Sequence, residues 1–402
     1  MDPRYRGPRL IEVLLVLFVI GVGICLFLPA SGASREAGRR TLCQNHMRAL
    51  LGHLQAKEHF PCAGTYQDDA AIHGGDPARS AIYRSIMNPR AFVRDPGPLR
   101  SSWVVEILPE LDRQDLLNEW SREKSYLDDT TNGAGRRSNS EVARTELEIL
   151  RCPNDSTTFW GRGNLSYVVN GGFSRWHAIP VGWSGGEEDG QAHNGPLLRW
   201  APPDGTWRNT QDTCRRLGVM FLGTSTGNQP WDIKTRPSDL IDGASQTFMF
   251  TENTLAGYSR GTQDSGGLPT NWACPLPNFT MFLASDDVCD SATTKGDCLG
   301  GQLRPTPDGK TGLGWNRANQ PGTWENVNYG RKLKSEGSFP FANSGHPGGA
   351  NFGFCDGAIR FLSASIDGSV YARLITPAGA SLSDQIRQSQ LSDEELGDMY
   401  SP

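Results

Sequence analysis

The sequence predicts an α+β fold, in which one long N-terminal helix is membrane-embedded in its first half and packs its second half on an antiparallel β-sheet carrying large loop insertions. Three observations lead there. Leu10 to Leu28 reads LIEVLLVLFVIGVGICLFL, an unbroken apolar run whose only charge is Glu12. Beyond Pro29, the residues Leu42, Cys43, Met47, Leu50, Leu51 and Leu54 recur at helical spacing, with no proline before Pro61. The rest alternates short apolar runs with turn residues, and 47 glycines and 26 prolines in 402 residues make it rich in loops.

Taken in order, the apolar run is long enough as a helix to cross a bilayer core of roughly 30 Å, which predicts a membrane segment over residues 8–30. Pro29 stands where it removes a helical hydrogen bond, a place for a kink. Residues 31–60 are expected to continue as an amphipathic helix ending near Phe60, its apolar face on a sheet. A globular α+β domain follows over 61–380, and a polar tail over 381–402. Within the domain, SSWVVEILPELDRQDLLNEW reads as a strand or apolar turn followed at Pro109 by a short helix. LEILRCPND and NLSYVVNGG suggest edge strands, and LIDGASQTFMFTEN a turn leading into a buried strand from Thr247 to Thr251. The stretches 173–237 and 254–340 show little periodicity and read mainly as surface insertions. FGFCDGAIRFL places Asp356-Gly357 between apolar arms, predicting a hairpin whose type I′ turn needs positive φ at both residues.

Composition narrows the function. A net charge of -5 and the absence of basic stretches with interleaved aromatics argue against nucleic acid. The nine cysteines show no C-x-x-C pair, so no structural zinc module is expected. Apart from Cys25 in the apolar run, eight remain, an even number compatible with disulfides; Cys289 and Cys298 bracket a short loop and are the preferred pair. His46, His53 and His59 lack the i, i+4 spacing of a metal pair. GTSTG matches a nucleophile-elbow pattern around Ser225, but Asn228, Gln229 and Pro230 lead into loop where a helix must start. No catalytic residue and no cofactor is therefore assigned, and the chain reads as a non-enzyme. Asp286, Asp287, Asp290 and Asp297 offer oxygen ligands for calcium without an EF-hand spacing, so a solvated acidic loop is preferred. Trp160, Trp176, Trp183, Trp200, Trp207 and Trp231 are expected to pin loops onto the domain rather than to form a binding platform.

An acid in an apolar span needs a partner. Arg6-Gly7-Pro8-Arg9-Leu10-Ile11-Glu12 resembles the prepilin-type signal, in which a basic leader, here residues 1–7, ends in Gly, cleavage follows, and Glu is the fifth mature residue. An ordinary signal peptide cut after Ser31 to Ala33 is the alternative. His346 to Gly357, HPGGANFGFCDG, is similar to the H-x9-D-G box of a large bacterial family with prepilin-type N-termini, domain of unknown function 1559. The segments LPASGASREAGRRTLCQNHMRAL, SWVVEILPELDRQDL, LRCPND with SYVVNGG, and LIDGASQTFMFTEN resemble it too. The resemblance implies a pilin-like or pseudopilin-like subunit of a pilus, pseudopilus or type II secretion-like apparatus. Its implied site is the inner membrane, single-pass, with the N-terminus cytoplasmic and the C-terminal domain periplasmic or at the cell surface. Implied partners are a prepilin peptidase acting at Gly7 and Pro8, membrane lipid, and other pilin-like subunits, with Glu12 neutralising a neighbour's N-terminal amine. The competing expectation is an envelope-anchored binding protein for polysaccharide or protein ligands.

Overall fold

The computed structural model describes residues 9–68, 80–87, 89–174, 215–228, 232–254, 259–260, 268–285, 315–321, 326–329, 341–382, 387–392 and 394–395. Helix α1 runs from Leu10 to Gln55, through Pro29 and five residues short of the expected end. Its second half carries the buried face that the periodicity predicts: Cys43, Met47, Leu50, Leu51 and Leu54 have no exposed surface. Leu42, expected on the same face, is 42% exposed, because it falls one step round the helix from the seam.

Ten strands follow. Strands β1 (Gly64–Tyr66), β2 (Leu99–Ser102) and β4 (Leu222–Thr224) form a small sheet in the order β2-β1-β4. Strands β3 (Tyr167–Ser174), β5 (Phe248–Glu252), β8 (Met281–Ser285), β9 (Gly349–Phe354) and β10 (Ile359–Ser363) form the main sheet, ordered β10-β9-β5-β3-β8. The two-residue strands β6 (Ser259–Arg260) and β7 (Pro269–Thr270) pair separately.

Two features of the expected fold are corrected. The main sheet is mixed rather than antiparallel: β8 pairs parallel to β3, and in the small sheet β4 pairs parallel to β1. Parallel neighbours cannot be joined by a hairpin, and the long segments between these strands serve as crossovers. Two stretches read as surface insertions accordingly contribute core, with Val219, Met220 and Leu222 buried in one and Trp272, Phe279 and Phe282 in the other. The transmembrane first half is the second correction. Among the described residues no helix is long and apolar enough to cross a membrane. The apolar part of α1 whose side chains are described, Leu10 to Val22, is about 20 Å long against the roughly 30 Å required.

The main sheet buries both faces. On one, Tyr167, Val169 and Phe250 pack with the buried side of α1 and with Trp103, Trp120 and Trp272. On the other, Phe248, Phe282, Phe352 and Phe354 form an aromatic cluster with Tyr371 of the helix Gly368–Ile375. Strand β3 shows the alternation that makes this possible, Val168 pointing opposite to Tyr167 and Val169. LEILRCPND is not a strand: Glu148–Leu150 is a 3-10 turn. The 355–358 turn also departs from expectation, since Gly357 has φ +98° while Asp356 is not among the positive-φ residues. Phe354 accepts from the Gly357 N–H and donates to the Ala358 carbonyl, and the Asp356 carboxylate accepts from the Ala358 N–H. That is the longer loop, with one left-handed glycine, in place of the two-residue type I′ turn.

Candidate functional site

Four side chains from four distant segments meet where α1 crosses the main sheet: Cys43, Cys152, Glu252 and His346. Each is held by its own local structure. Cys43 is on the buried seam of α1. Cys152 lies in the turn after the 3-10 segment, where its carbonyl accepts from the Asp155 N–H at 3.0 Å. Glu252 is the last residue of β5, held in register by pairing with β3 on one side and β9 on the other. His346 sits before β9, its N–H given to Ser344 Oγ at 3.1 Å. Gly345 beside it passes so close to Asn154 that a Cβ there would lie 1.9 Å from the Asn154 carbonyl oxygen, so only glycine lets the two loops touch.

The centre of the group is one oxygen. Glu252 Oε1 accepts from the Cys43 thiol at 2.7 Å and the Cys152 thiol at 3.2 Å, and lies 3.3 Å from His346 Nε2. Its other oxygen takes the backbone and side-chain N–H groups of Asn351 at 2.7 and 3.1 Å. His346 Nε2 is also 3.5 Å from Cys152 Sγ, and its Nδ1 is 2.6 Å from Glu36 Oε1 on α1. Asn154 braces Glu36 from behind at 3.0 Å, and Tyr167 OH lies 3.3 Å from Cys43 Sγ.

No member of the group is more than 1% exposed, and the ionisation reflects it. Burial by itself pulls the His346 imidazolium down, but hydrogen bonding to Cys152, Glu252 and Glu36 outweighs it and raises the ring to about 10. Burial likewise opposes the Glu252 carboxylate, and His346 with the other donors brings it below its ordinary value. The Cys43 thiol is pushed up by burial, whereas the hydrogen bond from Cys43 and the contact with His346 lower Cys152. The arrangement can do two things: act as a buried charged hub joining α1 to the sheet, or present two sulfurs, a nitrogen and an oxygen to a metal ion.

The residues singled out from sequence are not brought together. Glu12 is exposed and accepts the Arg9 backbone N–H at 3.1 Å, capping the start of α1. Asp356 is part of the β9–β10 turn near Arg360, and the carboxylates beside His346 are those of Glu36 and Glu252. Ser225 follows β4 into a turn, without the helix of a nucleophile elbow in the described residues around it. Trp160 is 80% exposed rather than pinned, while Trp176, Trp183, Trp200, Trp207 and Trp231 lie outside the described residues. Gly7, Pro8, Cys289, Cys298, Asp286, Asp287, Asp290 and Asp297 lie outside the described residues. Cys43, Cys62, Cys152, Cys274 and Cys355 are free thiols.

Sequence reasoning overlooked Glu36, Cys43, Cys152 and Glu252 as a set because Cys43 and Glu252 are 209 residues apart, and Cys152 and Glu252 100. A usable signal was present: each falls in a segment on which the family resemblance rests, and Glu252 is a carboxylate directly after the apolar strand FMFT.

Fold and site together define an α+β protein whose first helix is tied to a mixed sheet by a buried Cys-Cys-Glu-His cluster. The chain belongs to the family described as a protein of unknown function, DUF1559, which it matches over residues 32–369. That range contains all four cluster residues and Glu36. No curated protein and no solved structure matches the chain.

Proposed function

We propose that the chain is a non-catalytic, pilin-like assembly subunit of the bacterial envelope that joins its partners through the N-terminal part of α1. One observation carries the reading. Leu10, Ile11, Leu14, Leu15, Leu17 and Phe18 are 57 to 80% exposed, and Val13, Val16, Val19, Ile20 and Val22 are 42 to 60% exposed. These residues cover every side of the helix, and a helix that is apolar all round belongs inside something. Each such side chain contributes about 1.5–3 kcal/mol when taken from water into an apolar surrounding, enough in sum to drive helix association.

The surrounding proposed is a bundle of equivalent helices from other copies or related subunits. Processing after Gly7 by a prepilin peptidase then frees the amine of Pro8, and Glu12, exposed within the apolar surface, is the counter-charge for a neighbour's amine. The second reading, a binding protein for polysaccharide or protein ligands, is favoured by the exposed Trp160 with its neighbour Phe159, 44% exposed.

Oxidative cross-linking in cells tests the assembly reading, using Leu15→Cys and Phe18→Cys in the full chain with Cys25 replaced by Ser. A ladder of linked subunits that Glu12→Lys abolishes is expected. Monomers alone in both backgrounds, or a mature protein whose N-terminal mass begins beyond residue 30, would refute it.

A further inference from the structure

We propose that Cys43, Cys152, Glu252 and His346 form a structural zinc site that fastens α1 to the main sheet. The inference stands apart from the assembly reading, since it concerns the body of the chain and not its N-terminal end.

The donor set is the first argument. Two sulfurs, one imidazole nitrogen and one carboxylate oxygen match the borderline-soft, four-coordinate preference of Zn²⁺, and the sulfurs exclude calcium or magnesium. Spacing is the second. A tetrahedral zinc with these ligands separates its donor atoms by roughly 3.3 to 3.8 Å. Cys152 Sγ to His346 Nε2 is 3.5 Å, His346 Nε2 to Glu252 Oε1 3.3 Å and Cys152 Sγ to Glu252 Oε1 3.2 Å, with all four atoms within 4.8 Å of one another. Cys43 Sγ, at 2.7 Å from the same oxygen, is closer to it than two ligands of one zinc stand, and must move away from it by about 1 Å or less.

The outer contacts point the same way. Metal-bound histidines give their second ring nitrogen to a carboxylate or carbonyl, and His346 Nδ1 faces Glu36 Oε1 at 2.6 Å while Nε2 points into the cluster. The ligating carboxylate is itself fixed, its far oxygen held by both N–H groups of Asn351. Burial of all four residues leaves no open position for a substrate or for bulk water, which makes the site structural rather than catalytic. Binding replaces the two thiol protons and any proton on Nε2, which leave to solvent. Two thiolates and one carboxylate against Zn²⁺ leave a single negative charge, and the Arg40 guanidinium is close enough to interact with Glu252 and Glu36.

The test uses the full chain, purified without added metal and then titrated with Zn²⁺ or Co²⁺. One zinc ion per chain is expected, together with a thiolate-to-cobalt charge-transfer band and the visible spectrum of tetrahedral Co²⁺. Cys152→Ser should lose the charge-transfer intensity contributed by one sulfur. Glu36→Gln leaves all four ligands in place and should weaken zinc affinity about 10–100-fold, as expected of a positioning residue. The wild-type spectrum is decisive even if a variant fails to fold. Absence of a thiolate–cobalt band, with both thiols freely alkylated or with a Cys43–Cys152 disulfide located by peptide mapping of the non-reduced chain, would overturn the proposal.

Discussion

Asp155, three residues beyond Cys152, shows how a single carboxylate records its surroundings. It is 5% exposed, and burial raises it from 3.8 to about 6 even though Ser166 and Thr157 donate to it at 2.6 to 2.9 Å. A carboxyl whose folded value exceeds its unfolded value stabilises the fold while protonated, and that contribution is lost as pH rises through about 6. Between about pH 4 and pH 7 the loss amounts to roughly 2 kcal/mol. Urea unfolding of Asp155→Asn should lack this component, so the gap between variant and wild-type stability should change in the variant's favour from the acidic to the neutral condition. A gap that stays constant with pH would contradict the assignment. At this scale the sequence was least legible. Cys43 and Cys152 were countable as cysteines, but neither a pair spacing nor a charge run marked them, because their partners arrive from across the sheet.

Elements were easier to read where one period dominates. The second half of α1 was legible because apolar residues at helical spacing must face one way, and all but Leu42 of that series are buried. Leu50 has no exposed surface and should cost about 2–5 kcal/mol when cut to Ala, whereas Leu42→Ala should stay within about 0.5 kcal/mol. Parallel denaturation curves for the two variants measure the difference. Strand β5 emerged from Thr247 to Thr251 with an error of one residue, since an apolar aromatic run bounded by Asp-Gly and Asn has few alternatives. Asp356-Gly357 marked a hairpin correctly but not its turn type, which depends on whether the flanking residues pair, a matter of φ at Asp356 rather than of composition.

For the whole molecule, what could not be read was the order of strands. The neighbours β3 and β8 are parallel although more than a hundred residues separate them, and loop-rich composition hides such a crossover. The N-terminal segment is separable from this body. Among the described side chains, contacts of α1 with the sheet and its loops begin at Glu36, and every one from Leu10 to Val22 is exposed. Removing residues 1–33 should therefore leave the far-ultraviolet signature per residue of the folded body and its thermal midpoint unchanged, while abolishing the self-association proposed above. A body that unfolds on this truncation would show that the segment belongs to the core.

α1 spans 46 residues, about 70 Å of continuous helix. Glu36 and Cys43 are among its first points of attachment, so tension applied at the free end travels along a stiff rod and arrives first at the Cys-Glu-His knot. The place where a pull on the helix would enter and the place where it would yield are thus set on the same helix, and the strength of that knot fixes the load the chain can bear before its stem peels from the sheet.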